Sequence, residues 1–376
     1  MLIDFNLRRA QQRLLTRLRQ RPRVASIDAN CNTVVFFIDH ELARTQIYPL
    51  MLFGKQLRHD HGMRLNLVPT EALLTSSGGI AAAPQVRRVF VQEPLNADGA
   101  SVKSLMQAVR RACPEATICY LDWMAPIDVR HADVLDPYID SYVTKQTFRD
   151  PADFHAEFVG DSNLSDHFFR RMGKPMSSVR YAFPTGFERK LILGSNFGFS
   201  PQMLNMFRRR FTGQGQRDIG LHARMATQGV DWYQFMREEA LQAALAVRRT
   251  GVNCVIEGRV RRPVFFAEMR RSQLCFSPFG YGEVCWRDYE AFATGAVLLK
   301  PDMGHLRTFP EVFRPGETYV ALRWDCSDLA DQVQHWLADA SARQRMSEAA
   351  FDLMHQHVLR EEARLPFEQV LALRPL

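Results

Sequence analysis

Two series of one alternation run along the chain. From residue 32, short runs of consecutive apolar, β-branched and aromatic residues recur, each followed by a polar loop and a stretch with helical spacing. NTVVFFIDH (32–40), MRLNLVP (63–69), VRRVFVQEP (86–94), ATICYLDWMAP (116–126) and IDSYVTKQ (139–146) read as strands. Their near-continuous hydrophobicity is that of parallel strands buried on both faces. Between them, ARTQIYPLMLFGKQLRHDHG reads as a helix interrupted by Pro49 and stopped at Gly62, and SVKSLMQAVRRACP as an amphipathic helix ended by Pro114. The pattern loosens over 150–200 and then resumes. RDIGLHAR (217–224), VNCVIEGRV (252–260), QLCFSP (273–278), GAVLLKP (295–301) and TYVALRWD (318–325) read as strands, with helices at 232–251 and 264–272 and three more after residue 327.

Alternating strands and helices with short connections predict α/β domains, each a doubly wound parallel sheet. We divide the chain into a basic N-terminal segment (1–23), a first Rossmann-like domain (24–185), a second (186–345) and C-terminal helices (346–376) that cross back to the first. Two such domains in succession imply a cleft between them, with ligands beyond the carboxyl ends of the strands.

Composition narrows the class. The chain has 376 residues, 46% hydrophobic and 24% charged, with no stretch long and apolar enough for a membrane span. The opening MLIDFNLRRAQQ carries Asp4 and arginines where a secretory signal needs an apolar core. Seven scattered cysteines without metal-ligand spacing read as free thiols in a reducing, cytoplasmic compartment. The net charge of +7 hints at nucleic acid until it is located. Residues 1–23 hold seven arginines against Asp4 alone, so the remaining body is nearly neutral and does not resemble a polyanion-binding surface. The basic segment, with Leu7, Leu14, Leu15 and Leu18 on a short apolar edge, reads either as a leader helix packed on the body or as an arm for an anionic membrane surface or a partner. Oligomeric state is not legible.

The densest chemistry lies in SPFGYGEVCWRDYEAFATGAVLLKPD (277–302). Glycines permit close backbone approach to a ligand, and a helix is expected from near Glu283 to Gly295. On such a helix Glu283, Arg287 and Glu290 share one face, opposite Cys285, Tyr289 and Phe292. The helix N-terminus points where the preceding strand ends and suits a phosphate. The plain alternative is a solvated face carrying a Glu–Arg pair worth only a few tenths of a kcal/mol.

This stretch, with FRPGETYVALRWD and SDLADQVQHWLAD after it, resembles the C-terminal domain of the group 1 glycosyltransferases, the retaining enzymes of GT-B fold. The resemblance is strong over 274–345 and weak elsewhere. It implies two Rossmann-like domains facing each other across a cleft, a nucleotide-diphosphate sugar as donor, a glycan-type or lipid-linked hydroxyl acceptor, and synthesis of a surface polysaccharide or glycoconjugate. It further implies that Glu290 holds the ribose hydroxyls and that the Gly280–Tyr281–Gly282 loop lies on the diphosphate. The family's usual pair is two glutamates separated by seven residues. Counted back from Glu290 the first position is Gly282, so Glu283 must take that role from one residue away or the role is vacant.

A leaving diphosphate needs cations or backbone donors. Related enzymes use basic residues after the first and middle strands of the second domain, and here Arg224, Arg237, Arg259 and Arg287 are the candidates, with Lys300 at the end of its strand. Asp302 and His305, in the following loop, are placed for donor-sugar hydroxyls. In the first domain His40 and Asp122 end strands and are candidates for acceptor contact or for a general base, which inversion would require and retention would not. No cofactor and no metal is expected, because no Asp-x-Asp pair ends a strand and arginines can replace a divalent ion. Rival readings are a nucleotide-sugar epimerase or sugar phosphorylase of the same fold, and a catalytically silent glycan- or nucleotide-binding module.

Overall fold

The computed structural model describes residues 26–75, 80–209, 211 and 215–373. The basic segment 1–23 lies outside the described residues.

The first series of apolar runs forms a six-stranded sheet from β1 (Thr33–Phe37), β2 (Leu65–Pro69), β3 (Arg88–Val91), β4 (Thr117–Leu121), β5 (Ser141–Thr144) and, later in the chain, β9 (Leu191–Leu193). Its order is β2-β1-β3-β4-β5-β9, with every pairing parallel. β1, β3 and β5 are buried at every residue, their apolar residues and the flanking Thr33, Arg88, Ser141 and Thr144 alike, as in a sheet covered on both faces. The stretch before β9 holds three short strands, β6 (Gln146–Phe148), β7 (Phe158–Val159) and β8 (Ser178–Val179). β9 therefore lies beyond residue 185 and still belongs to the first sheet, so the division expected at 185/186 falls too early. A strand of three residues leaves too little periodicity to read.

The second series forms a five-stranded parallel sheet, β11-β10-β12-β13-β15, from β10 (Ile219–His222), β11 (Cys254–Val255), β12 (Ser272–Phe276), β13 (Val297–Pro301) and β15 (Tyr319–Leu322). Both sheets are thus doubly wound, and in each the strand order reverses beside the first strand in sequence. The expected helix over 43–62 is two helices, Glu41–Leu52 with Pro49 inside it and Gly54–His61 ended by left-handed Gly62.

The loops that follow strands in the two sheets meet. A Cβ on Gly282, after β12, would fall 2.5 Å from the Ala125 carbonyl oxygen, after β4, so only glycine allows the contact. β6 pairs antiparallel with β14 (Leu306–Thr308), stitching the halves by backbone hydrogen bonds. The carboxyl ends of the two sheets therefore face each other across this seam, the GT-B arrangement. After the long helix Ala340–Leu359 the chain returns to the first sheet. The helix Leu365–Leu373 sets Phe367 against Phe90, ring centroids 5.7 Å apart, and Arg88 donates to the Leu371 carbonyl at 3.2 Å.

Candidate functional site

Strand order places the site. β10 and β12 are neighbours whose chains leave the sheet in opposite directions, and the crevice beyond their carboxyl ends is the switch point of the second sheet. After β12 the chain runs through Ser277–Cys285 before the helix Trp286–Thr294 begins. Asp288, in the first turn of that helix, organises the loop. Its carboxylate accepts from the Cys285 N–H at 2.8 Å and the Ser277 hydroxyl at 2.6 Å, and lies 3.1 Å from the Lys300 ammonium. Asp288 and Lys300 are both wholly buried. Lys300, expected at the ligand, instead braces the loop from beneath, because a fully enclosed ammonium tied to a carboxylate has no open side.

The helix starts three residues later than expected, so Glu283 lies in the loop and shares no helical face with Arg287 and Glu290. Tyr289 and Phe292 do face the core, at 0% and 1% exposure. Glu283 is itself buried and accepts three hydrogen bonds, from Asn163 Nδ2 at 2.7 Å, His305 Nε2 at 3.1 Å and Gln146 Nε2 at 3.3 Å. Asn163 and Gln146 belong to the first half of the chain. The carboxylate thus ties the seam, and no local pattern marks Asn163 or Gln146, whose role depends on contacts across more than a hundred residues. At Gly282 the Ala125 carbonyl fills the space that a side chain would need.

Cations converge behind this loop. Arg237, on the helix Asp231–Arg249, is 9% exposed, and its Nε has no hydrogen-bond partner. Burial and the neighbouring Arg287 hold its pKa below the ordinary value, opposed by Tyr233 and Cys285. Arg287 also has a buried Nε without a partner. Among the described residues neither arginine makes an ion pair. The Arg237 guanidinium sits 5.1 Å over the Tyr233 ring, and Tyr233 stacks on Tyr281 with centroids 4.3 Å apart and planes 11° from parallel. Tyr281 is 48% exposed, between Gly280 and Gly282, and the Gly280 N–H closes the loop on the Gly282 carbonyl at 2.9 Å. The aromatic pair needs a glycine beneath it, since a Cβ on Gly229 would lie 2.4 Å from the Tyr233 ring.

Glu290 points toward Arg262, 3.8 Å away, with its side chain 12% exposed. Burial raises its pKa, partly offset by Arg287 and Arg262. Arg224, expected among the phosphate ligands, is committed elsewhere. Its guanidinium makes a two-point pair with Glu268 at 2.7 and 2.8 Å and donates to the carbonyls of Glu257 and Gly258. Glu268 carried no sequence signal, because nothing in the chain sets it beside Arg224 until the helix Arg262–Arg271 docks. Arg259 is exposed after β11 and is not brought into the group. His222, at the end of β10, is fully enclosed, and burial with Arg287 nearby depresses its pKa to about 4.

Across the seam, Asp122 follows β4. Its carboxylate accepts from the Tyr142 hydroxyl at 3.0 Å and from the Met124 N–H at 2.9 Å. Burial pushes its pKa up to about 6, against the pull of Lys145. Lys145 donates to the Trp123 carbonyl at 3.0 Å and is itself pushed down to about 8 by burial. His40 is exposed. Its Nδ1 accepts from the Leu42 N–H at 3.3 Å, capping the helix Glu41–Leu52, and its ring lies 5.3 Å from Trp123. Asp302 accepts from Tyr319 at 3.1 Å and from the Gly304 N–H at 3.2 Å, so its carboxylate shapes its own turn. Among the described residues no cluster of three or more His, Cys, Asp or Glu side chains suits a metal ion, and no helix is long and apolar enough to cross a membrane.

Residues 214–364, which contain the glycine loop with Arg237, Arg287 and Glu290, match the model of a family described as glycosyl transferase-like. No curated protein matches the chain. A solved glycosyltransferase from Rickettsia africae aligns over 90% of this chain and 98% of its own, with a TM-score of 0.48 and 10% identity. An alpha-glucosyltransferase solved with UDP and a 13-mer DNA aligns over 89% of this chain and 99% of its own, with a TM-score of 0.47 and 8% identity. The T4 phage BGT solved with UDP-glucose aligns over 90% and 98%, with a TM-score of 0.43 and 10% identity.

Proposed function

We propose that this chain is a glycosyltransferase that takes its sugar from a nucleotide-diphosphate donor. The observation that carries the reading is the convergence of Arg237 and Arg287 at the glycine loop after β12, two guanidiniums with buried, unpartnered nitrogens and no ion pair among the described residues. Such an arrangement is costly in the empty protein and is relieved by an anion. A diphosphate fits it, bringing charge at the place where the leaving group must be stabilised. The match of residues 214–364 to a glycosyl transferase-like family supports the same chemistry.

In this reading Glu290 accepts from the ribose hydroxyls, since one carboxylate can take two vicinal donors. Tyr281, exposed beside the loop, covers an edge of the donor. The two arginines and the Gly280–Gly282 backbone neutralise the diphosphate as the glycosidic bond breaks, so no divalent cation is required. The acceptor enters from the first half, where Asp122 and His40 lie beyond β4 and β1. With retention no side-chain base is needed, and they orient the acceptor; with inversion Asp122, whose pKa is already raised, is the better placed to take its proton. The buried Glu283 holds the halves together and fixes His305 at the seam, excluding water from the donor. Membrane-surface attachment through residues 1–23 and a role in surface glycans extend this proposal.

A catalytically silent nucleotide-binding protein is the second reading, favoured by the filled space at Gly282. The two separate by experiment. Titration with a panel of nucleoside diphosphates, followed by a donor-turnover assay with hydroxyl acceptors, gives binding and transfer for the enzyme and binding without turnover for the silent protein. Binding of no nucleoside diphosphate removes both.

A further inference from the structure

A cavity of about 370 Å³ opens on the seam itself. Its wall comes from both halves and from the returning C-terminal helix. Phe148, Phe154, Leu193 and Phe309 give it an apolar floor, and Leu365, 40% exposed, stands at its mouth. That volume is within the range of sites that hold small molecules.

Two polar groups in it lack partners. Thr147 lines the cavity at 8% exposure, and its hydroxyl oxygen is buried with no hydrogen bond. Arg307 stands directly opposite Thr147 in the antiparallel β6–β14 pair, so the two side chains rise from the same face. Among the described residues the Arg307 guanidinium has neither ion pair nor hydrogen bond. Arg149, also on the wall, is engaged with Glu311 and with the carbonyls of Gly304 and Leu306. Glu188 is the one carboxylate of the lining. A buried hydroxyl beside an unpaired cation, above an apolar floor, is complementary to an oxyanion carried on an apolar body.

We propose that this cavity binds a small amphipathic anion, an alkyl or aryl body bearing a phosphate or carboxylate. The head accepts from Arg307 and from the Thr147 hydroxyl, while the body covers the Phe148 and Leu193 surfaces. Because β6 and β14 come from opposite halves, an occupant contacting both favours the joined arrangement.

Calorimetric titration with octyl phosphate, octanoate, octanol and inorganic phosphate tests it, using the full chain. Octyl phosphate or octanoate should bind at least ten times more tightly than octanol, and inorganic phosphate should not bind in the same range. The stronger of the two anionic amphiphiles identifies the head group. Arg307→Gln, an exposed substitution, should reduce anionic binding to the octanol level, and Thr147→Val should weaken it several-fold. Leu365→Trp, at the exposed mouth, should block every amphiphile. Circular dichroism confirms that each variant is folded. Unchanged affinity in Arg307→Gln and Leu365→Trp, equal binding of octanol and octyl phosphate, or no binding of either anionic amphiphile would overturn the assignment.

Discussion

Glu283 and Asn163, from opposite halves of the chain, are joined by a 2.7 Å hydrogen bond inside the seam. The carboxylate is 1% exposed and takes two further hydrogen bonds, so separating the halves would leave it to find new partners. Glu283→Ala strands Asn163, His305 and Gln146 donors and should cost about 2 kcal/mol by urea denaturation. Glu283→Gln keeps the shape and should cost less. If Glu283 is instead a residue of the sugar site, Glu283→Ala will abolish turnover while leaving stability unchanged.

Gly282→Ala tests the same seam by volume. The added methyl would meet the Ala125 carbonyl at 2.5 Å, and backbone lies on both sides, so the loop or the seam must shift. We expect a loss of stability of about 1–3 kcal/mol and a fall in turnover larger than the loss of nucleotide affinity. A variant as stable and active as wild type would show that the halves do not close on this contact.

The buried pair of Asp288 and Lys300 should be far more sensitive than the surface pairs. Lys300→Met leaves Asp288 as an enclosed charge and should cost about 3–5 kcal/mol, whereas the double variant Asp288→Asn with Lys300→Met should recover part of it. A double-mutant cycle by chemical denaturation reads this directly. Simple additivity would mean that the pair does not act as a unit.

Asp122 and Lys145 give opposite dependences on pH. Burial raises the Asp122 pKa from 3.8 to about 6, so the folded state holds its proton more tightly. Its contribution is fully present below pH 3.8 and is lost as pH rises through 6. The Lys145 pKa falls from 10.5 to about 8, so its contribution is present above 10.5 and lost as pH falls through 8. Compared with wild type, Asp122→Asn should therefore gain relative stability between pH 4 and 6, on the order of 2–3 kcal/mol across the window. Lys145→Met should do so as pH falls from about 10 to 8. A stability difference flat across both windows would refute the two shifts.

How much of this was legible beforehand follows from the range of each interaction. The strands β1, β3, β4 and β12 each carry a continuous apolar core of three or four residues, and that pattern points to parallel strands buried on both faces. β9 escaped notice because three residues carry no period. The common helical face of Arg287 and Glu290 was legible from spacing on a helix that does form, while Glu283 lies off that face because Asp288 and Cys285 start the helix later. Arg224 and Lys300 looked available because their partners, Glu268 and Asp288, become visible only once helices dock. The seam residues Asn163 and Gln146 gave no local signal at all.

The arginines at the glycine loop carry the functional proposal, and one titration tests it most directly. Calorimetry of the full chain with UDP, GDP, ADP and CDP should show single-site binding of at least one nucleotide. Arg237→Gln and Arg287→Gln should each weaken it at least tenfold, the loss of about 1.4 kcal/mol or more expected for a charge-assisted phosphate contact. Glu290→Gln should weaken binding of the ribonucleotide more than that of inorganic diphosphate. Binding unaffected by either arginine substitution, or no binding of any nucleoside diphosphate, would contradict the account.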